Sequence, residues 1–279
     1  SNDLCSLREK EDRPALACFM VFDKSGTKKS HRFARAVMRS AAKLSYEEAQ
    51  AAIDGRSNAK TDVLLEGVLK PLWKAYGALM KAREKREPLE LDLPERKLVL
   101  DDKGKVLRVV TPLRLDAHKL IEEFMIQANA SAAEELEAKK TPQLYRVHEP
   151  PSEEKVRALS MFLKTLDLSL PLGQVMKPKH FNQLLEEVKG KDYQNLVNDV
   201  VLRTQAQAAY APINKGHFGL TLRRYSHFTS PIRRYADLIV HRALISALGF
   251  GDDGLSADDI SRLTETAEMI SDAERRAMA

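Results

Sequence analysis

Two cysteines in 279 residues, Cys5 and Cys18, exclude a disulfide framework and do not have zinc-ligand spacing, which suits a reducing cytoplasm. No apolar run approaches the length needed to span a bilayer, and no signal peptide opens the chain. Internal repeats, low-complexity tracts and a linker are missing too, so nothing divides the chain. A large charge excess is also lacking: 45 basic against 40 acidic residues leave a net charge of +5. That balance permits a nucleic-acid partner without demanding one, since a local patch matters more than the total. What remains is 43% hydrophobic and 30% charged residues, the balance of a globular protein long enough to bury a substantial core.

In chain order, residues 14–39 read as a β-hairpin, with an apolar run at 15–22, a turn at 23–26 and partial alternation at 28–38. Ser45 with Glu48 three residues on has capping-box form, opening a short helix that ends near Gly55 and sets Tyr46 in its first turn. That ring is either a half-buried packing residue or a plate on which a nucleotide base stacks. Residues 61–86 predict a long helix kinked or divided at Pro71, and its basic end at 81–86 reads as solvated with favourable dipole charges. Short strands are expected at 89–93, 96–100 and 105–111, the last two joined by a turn at 101–104.

Residues 115–138 hold helical phase throughout. Glu122 and Asn129, seven residues apart, share a face. Glu122 has two readings: a stripe-edge residue in water, with Glu123 more exposed still, or an acceptor for a ribose hydroxyl or a cation. A strand at 143–148 and helices at 152–167, 179–188 and 193–209 are expected next. His148 and His180 read as surface or packing residues. A glycine-flanked bend at 216–220 runs into a short strand, and a final amphipathic helix follows Gly254 to the last residue without a C-cap signal.

The stretch from Tyr225 to Arg242 organises the rest. Ser230 followed by Pro231 reads as a helix start, Ile232, Tyr235, Ala236, Ile239, Ala243 and Leu244 recur at helical spacing, and Gly249 is the stop. Arg233 and Arg234 then fall in the first turn, placed against the helix dipole. Free N–H groups with two guanidinium forks make an anion site suited above all to phosphate. The alternative is that both arginines are solvated or pair with Asp237; the Ser-Pro start and the aromatic-rich approach favour phosphate.

His227-Phe-Thr-Ser-Pro-Ile-Arg-Arg-Tyr-Ala-Asp-Leu238, followed by His241 and Arg242, resembles the signature of the ribonuclease II/ribonuclease R superfamily of 3′→5′ exoribonucleases. Stretches at 4–7 with 12–16, 43–46, 121–129 and 216–220 resemble the same catalytic domain in the family's order, and their detail leans toward the bacterial ribonuclease R branch. The resemblance implies an α+β RNB-type catalytic domain, with small sheets and hairpins surrounded by many helices and a mainly helical C-terminal half. It implies that Tyr46 matches a tyrosine stacking near the RNA 3′ end and that Glu122 matches an acidic residue beside the 3′-terminal nucleotide. Arg233 matches the arginine that grips the scissile phosphate and is needed for catalysis, with Arg234 and His227 flanking it.

The chain departs from that pattern in what is missing. The family's clustered aspartates, which bind magnesium and activate water, are expected upstream of Ser1; Asp101 and Asp102 sit in a hairpin turn, and Asp252 and Asp253 in a glycine loop. A glutamate is expected just beyond Ala279, and Leu91 stands where a second base-packing aromatic is expected. The resemblance therefore implies a truncated catalytic domain that binds single-stranded RNA without cutting it. In the intact enzyme two magnesium ions would drive hydrolysis, Arg233 would neutralise transition-state charge and Glu122 would contribute to 2′-hydroxyl recognition. The competing class is a non-catalytic RNA- or partner-binding module that uses Arg233 and Arg234 only for docking. A serine hydrolase built on Ser230 and His227 lacks a glycine-bounded nucleophile elbow.

Overall fold

In the computed structural model, which describes residues 4–91, 97–171 and 173–278, β1 (Asp12–Phe22) pairs antiparallel with β2 (Lys28–Arg39), as the alternation predicts. Asp23 closes the turn, its carboxylate accepting from the backbone N–H of Ser25 at 2.8 Å and of Thr27 at 3.1 Å. Gly26 follows at φ 80°, and a Cβ there would collide with the Ala78 carbonyl oxygen. Only glycine lets this turn lie directly on a helix backbone.

The capping box is present in both directions. Glu48 N–H donates to Ser45 Oγ at 3.1 Å and Ser45 N–H to Glu48 Oε2 at 2.7 Å, opening α1 (Tyr46–Ile53). The long helix expected over 61–86 is divided near Pro71, as expected, into three pieces: α2 (Ala59–Leu64), a π-helical turn (Leu65–Leu69) and α3 (Lys70–Arg86). Pro71 is the cause, because it has no N–H to donate and its ring crowds the preceding turn, so the ladder widens there. Residues 89–91 form no strand, and 92–96 lie outside the described residues, whereas β3 (Lys97–Leu100) and β4 (Val106–Val110) form the expected second hairpin.

A 23-residue helix, α4 (Asp116–Ala138), follows. After it come β5 (Tyr145–Val147), α5 (Glu153–Lys164), α6 (Pro178–Glu187), α7 (Gln194–Thr204) and β6 (Ala209–Ala211). The helix expected to reach 209 stops at Thr204, because 209–211 are drawn into an antiparallel ladder with β5. The bend at 216–220 leads to single bridges, His217 with His148 and with Leu222, rather than to a strand. α8 (Tyr235–Leu248) ends on Gly249 at φ 65°, as expected. The final helix is broken at Arg262 into α9 (Ala257–Ser261) and α10 (Leu263–Met278), where Arg242 of α8 holds Asp259 at 2.7 Å.

The class is α+β, two-stranded ladders among many helices. One core cluster lies within α5–α7, around Leu159, Leu163, Phe181 and Val201. A second joins Phe33 of the first hairpin to Ala132 and Leu136 of α4 and to Val240 and Leu244 of α8, with Phe228 above them. α4 thus touches α1, α3, β1 and α8, and it sits beneath the segment that precedes α8. Among the described residues no helix is long and apolar enough to cross a membrane.

Two charge readings change. Glu123, expected to be more exposed than Glu122, is 1% exposed. It accepts from Arg83 Nη1 and Arg86 Nη2, each at 3.2 Å, and from Gln127 Nε2 at 2.9 Å. The basic end of α3 is therefore not merely solvated: two of its cations neutralise a carboxylate that the packing of α4 on α3 removes from water. Glu122 pairs with Arg114 at the surface. Replacing Glu123 by alanine is expected to lower unfolding free energy by about 3 kcal/mol, since two guanidinium groups lose their counter-charge. The same change at Glu122 is expected to cost less than about 1 kcal/mol. Urea denaturation measures both, and equal losses would contradict this assignment.

Candidate functional site

Asn129 lies two turns along α4 from Glu122 and is 2% exposed. Its Nδ2 donates to the Tyr225 hydroxyl at 2.9 Å, and its Oδ1 accepts from the backbone N–H of Phe228 at 2.8 Å and of Thr229 at 3.2 Å. One buried amide thus fixes the whole approach to α8. Phe228 is gripped further by Phe33, edge-on at 5.3 Å, and by His241, stacked at 4.6 Å and donating from Nε2 to the Phe228 carbonyl at 2.7 Å. Ser226 donates to Gln143 Oε1 at 2.8 Å, and Gln143 returns the chain to α4 by donating to the Ala133 carbonyl at 3.1 Å.

The helix expected to begin at Ser230 and Pro231 begins at Tyr235. Residues 231–233 form a turn in which the N–H groups of Arg233 and Arg234 reach the Ser230 carbonyl at 3.3 and 3.1 Å, and Arg234 is an extended N-cap at φ −129° and ψ 120°. Asp237, with no exposed surface, supplies the reason. Its carboxylate accepts from the Ser230 N–H at 2.7 Å, from Arg234 Nε at 2.7 Å and from Arg234 Nη2 at 3.0 Å. A buried carboxylate must be met by donors, and a helix running from Pro231 would carry Asp237 two turns away from the Ser230 N–H. The chain folds back over the charge instead.

The two arginines consequently differ. Arg234 pairs with Asp237, the alternative reading of the sequence. Arg233 is exposed, and among the described residues its guanidinium has no hydrogen bond or ion pair. His227 sits behind them, 2.8 Å from the Tyr210 hydroxyl. Burial, then the charges of Arg234 and Arg146, push its imidazole down to about 2, so it is neutral in any physiological solution. Burial likewise pushes the Tyr210 phenol up to about 12. Arg146 lies 4.6 Å over the Tyr210 ring and is held by Glu274 of α10 at 2.6 and 3.0 Å. His217, edge-on to Tyr225 at 5.2 Å, is pushed down to about 3, again chiefly by burial.

Tyr225 is buried beside these groups. Burial raises its phenol, the Asn129 bond and the Arg234 charge lower it, and the Asp237 and Glu122 carboxylates raise it again. Tyr46 stands apart, 42% exposed at the start of α1 and stacked on His118 of α4 at 4.1 Å and 26°. The structure therefore gathers Arg233, Arg234 and His227 on one loop and sets Glu122 on the helix that clamps it. Tyr46 meets the same helix further along: His118 and Asn129 are eleven residues apart, about 16 Å by helical rise. The sequence reading missed Asn129 and Tyr210 as the residues that aim the loop. For Asn129 the signal was a polar residue in phase with the apolar stripe; for Tyr210 there was none.

The RNB domain family model matches residues 1–249. The chain belongs to the RNB domain family. It is similar to ribonuclease R of Aquifex aeolicus, 41% identical over 277 residues, which cover 99% of this chain and 39% of that protein. Ribonuclease R of Escherichia coli is 37% identical over 286 residues, covering 99% and 35%. The RNB chain thus spans between about a third and two-fifths of the length of these curated relatives. Among solved structures, Mycoplasma genitalium RNase R in complex with ribose methylated single-stranded RNA superposes with a TM-score of 0.92 at 27% identity, over 100% of this chain and 44% of that one.

The magnesium implied by the resemblance needs a cluster of carboxylate or imidazole donors. Among the described residues no three His, Cys, Asp or Glu side chains are gathered where they could hold a metal ion. Asp101 closes its own turn, accepting from the N–H groups of Lys103 at 2.9 Å and Lys105 at 2.8 Å, and Asp253 pairs with Arg35. The described residues of this RNB chain do not fit a magnesium centre.

His217 and His227 both lie below the ordinary histidine value of 6.5. Below that pH the unfolded chain takes up protons that the folded chain does not, so the stability they contribute is whole above 6.5 and falls as pH drops. Urea midpoints are expected to be lower at pH 5.0 than at pH 7.5, with a smaller difference in a His217→Phe variant. Identical midpoints at the two pH values would contradict the buried, neutral assignment.

Proposed function

We propose that this RNB chain is the RNA-holding part of a 3′→5′ exoribonuclease, with Arg233 placed to grip the scissile phosphate of single-stranded RNA. One observation carries the reading: Asp237 takes Arg234 and leaves Arg233 exposed and unpartnered on a turn that Asn129 and Asp237 hold in place. A guanidinium held by its backbone and unpaired by its own protein is a preorganised donor for a phosphate, able to neutralise charge that develops there during reaction. The similarity to an RNase R solved with single-stranded RNA supports RNA as the ligand. In this proposal Arg234 keeps the turn folded, and neutral His227 offers a hydrogen bond beside the phosphate. Glu122 receives a ribose hydroxyl, exchanging its surface pair with Arg114 for it. Tyr46 takes a base. The cytoplasm remains the expected compartment.

No step through magnesium is assigned to these residues, because no ligand set for it is gathered among those described. The same observation favours a second reading, a module that docks RNA through Arg233 without chemistry of its own. The chain by itself is accordingly expected to retain labelled single-stranded RNA weakly and to release no mononucleotides when magnesium is added. Robust mononucleotide release would show that the metal site has been misplaced. In a full-length enzyme containing this chain, Arg233→Ala is expected to lower turnover by a factor of at least about 100, the loss typical of removing one preorganised donor. RNA affinity should change far less. Lost affinity with intact turnover of whatever still binds would refute the catalytic role.

A further inference from the structure

We propose that His118 is a positioning residue for base stacking: with Tyr46 it builds a two-ring platform on which a base of single-stranded RNA lies. This rests on the RNA reading above and adds the group that aims the tyrosine.

Tyr46 is fixed at its backbone and His118 at its ring. The capping box of Ser45 and Glu48 fixes Tyr46 as the first residue of α1. Leu115 N–H donates to His118 Nδ1 at 3.2 Å, so the imidazole is held across the first turn of α4. The start of α4 is then tied to the middle of α1, since Ala117 N–H donates to Gln50 Oε1 at 3.0 Å. The outcome is a centroid distance of 4.1 Å and an interplanar angle of 26°. Three hydrogen-bonded constraints thus converge on one stacked pair.

Its exposure separates this pair from ordinary packing. Tyr76, Tyr145, Tyr210 and Tyr225 are each 8% exposed or less, as packing tyrosines are. Tyr46 keeps 42% of its surface exposed although His118 covers one side of the ring, and among the described residues no second ring lies against it. Tyr235 is comparably exposed at 49%, yet among the described residues no ring lies against it. A single exposed tyrosine loses side-chain freedom when a base lands on it, whereas a ring already stacked has lost it beforehand. The platform accepts any base, because every base presents a π-face. Glu122 lies one helical turn from His118, about 6 Å along α4, where the sugar of a nucleotide stacked on Tyr46 would need an acceptor.

The test uses an RNA oligonucleotide with 2-aminopurine at its 3′-terminal positions, whose fluorescence is quenched by stacking. The chain with Tyr46 and His118 intact is expected to quench it on saturation. Tyr46→Ala and His118→Ala should each weaken binding several-fold and return most of the fluorescence at saturation, while His118→Phe, which keeps a flat ring, should preserve both. Circular dichroism confirms that each variant folds. Should His118→Ala not fold, His118→Gln, which keeps a cap acceptor but no ring, takes its place with the same expectation. If Tyr46→Ala weakens binding but the ring-less His118 variant matches the unaltered protein in affinity and quench, the platform is wrong and the RNA reading stands. If His118→Phe fails as alanine does, stacking is not the role of His118. Absence of any RNA binding by the unaltered chain would overturn both.

Discussion

The seam between α4 and α8 holds one amide and one carboxylate that water cannot reach, and the architecture of the site follows from satisfying them. An unsatisfied buried polar group costs about 1–3 kcal/mol, and an unpaired buried charge costs more. Asn129 and Asp237 therefore need donors and acceptors, and the segment 225–234 supplies them from its backbone, Tyr225 and Arg234. That requirement holds the start of α8 back to Tyr235 and turns residues 231–233 over the carboxylate. It also divides two adjacent arginines that look equivalent on paper. One becomes part of the fold, and the other stays exposed without a partner among the described residues.

α4 distributes charge by rotation alone. Successive residues of a helix point about 100° apart, so Glu122 and Glu123 face different surroundings. Glu123 faces α3 and is neutralised by Arg83 and Arg86, while Glu122 stays at the surface beside Arg114. The same helix meets Tyr46 through His118 at its start and the Tyr225 hydroxyl through Asn129 two turns beyond Glu122. A candidate base plate, sugar acceptor and loop anchor are thereby spaced along one rigid element. Around the loop, burial and nearby cations keep His227 and His217 uncharged, so His227 is suited to hydrogen bonding and not to proton transfer near neutral pH.

Much of the fold was legible because its signals are local. The first hairpin, the capping box before Tyr46, the helical phase of 116–138 and the Gly249 stop each depend on residues within a few positions of one another. The readings that failed depended on distant partners. The strand at 209–211 exists because β5 pairs with it, and the buried state of Glu123 exists because α3 lies across α4. Neither partner is near in sequence. Pro71 marked a break in its helix correctly, and the π-helical turn just before it follows from the same local cause, a missing N–H and a crowding ring.

For the site, the sequence by itself determined the family motif and the residue types: arginines beside a Ser-Pro start, a histidine and aromatics leading in, and an asparagine in phase with an apolar stripe. Chemistry of that kind is written in side-chain identity. Only the tertiary structure decided which arginine is free, which glutamate is buried and which ring lies against Tyr46. Those outcomes depend on competition for buried counter-charge and on contacts between α1, α3, α4 and α8, and no linear spacing encodes which competitor wins.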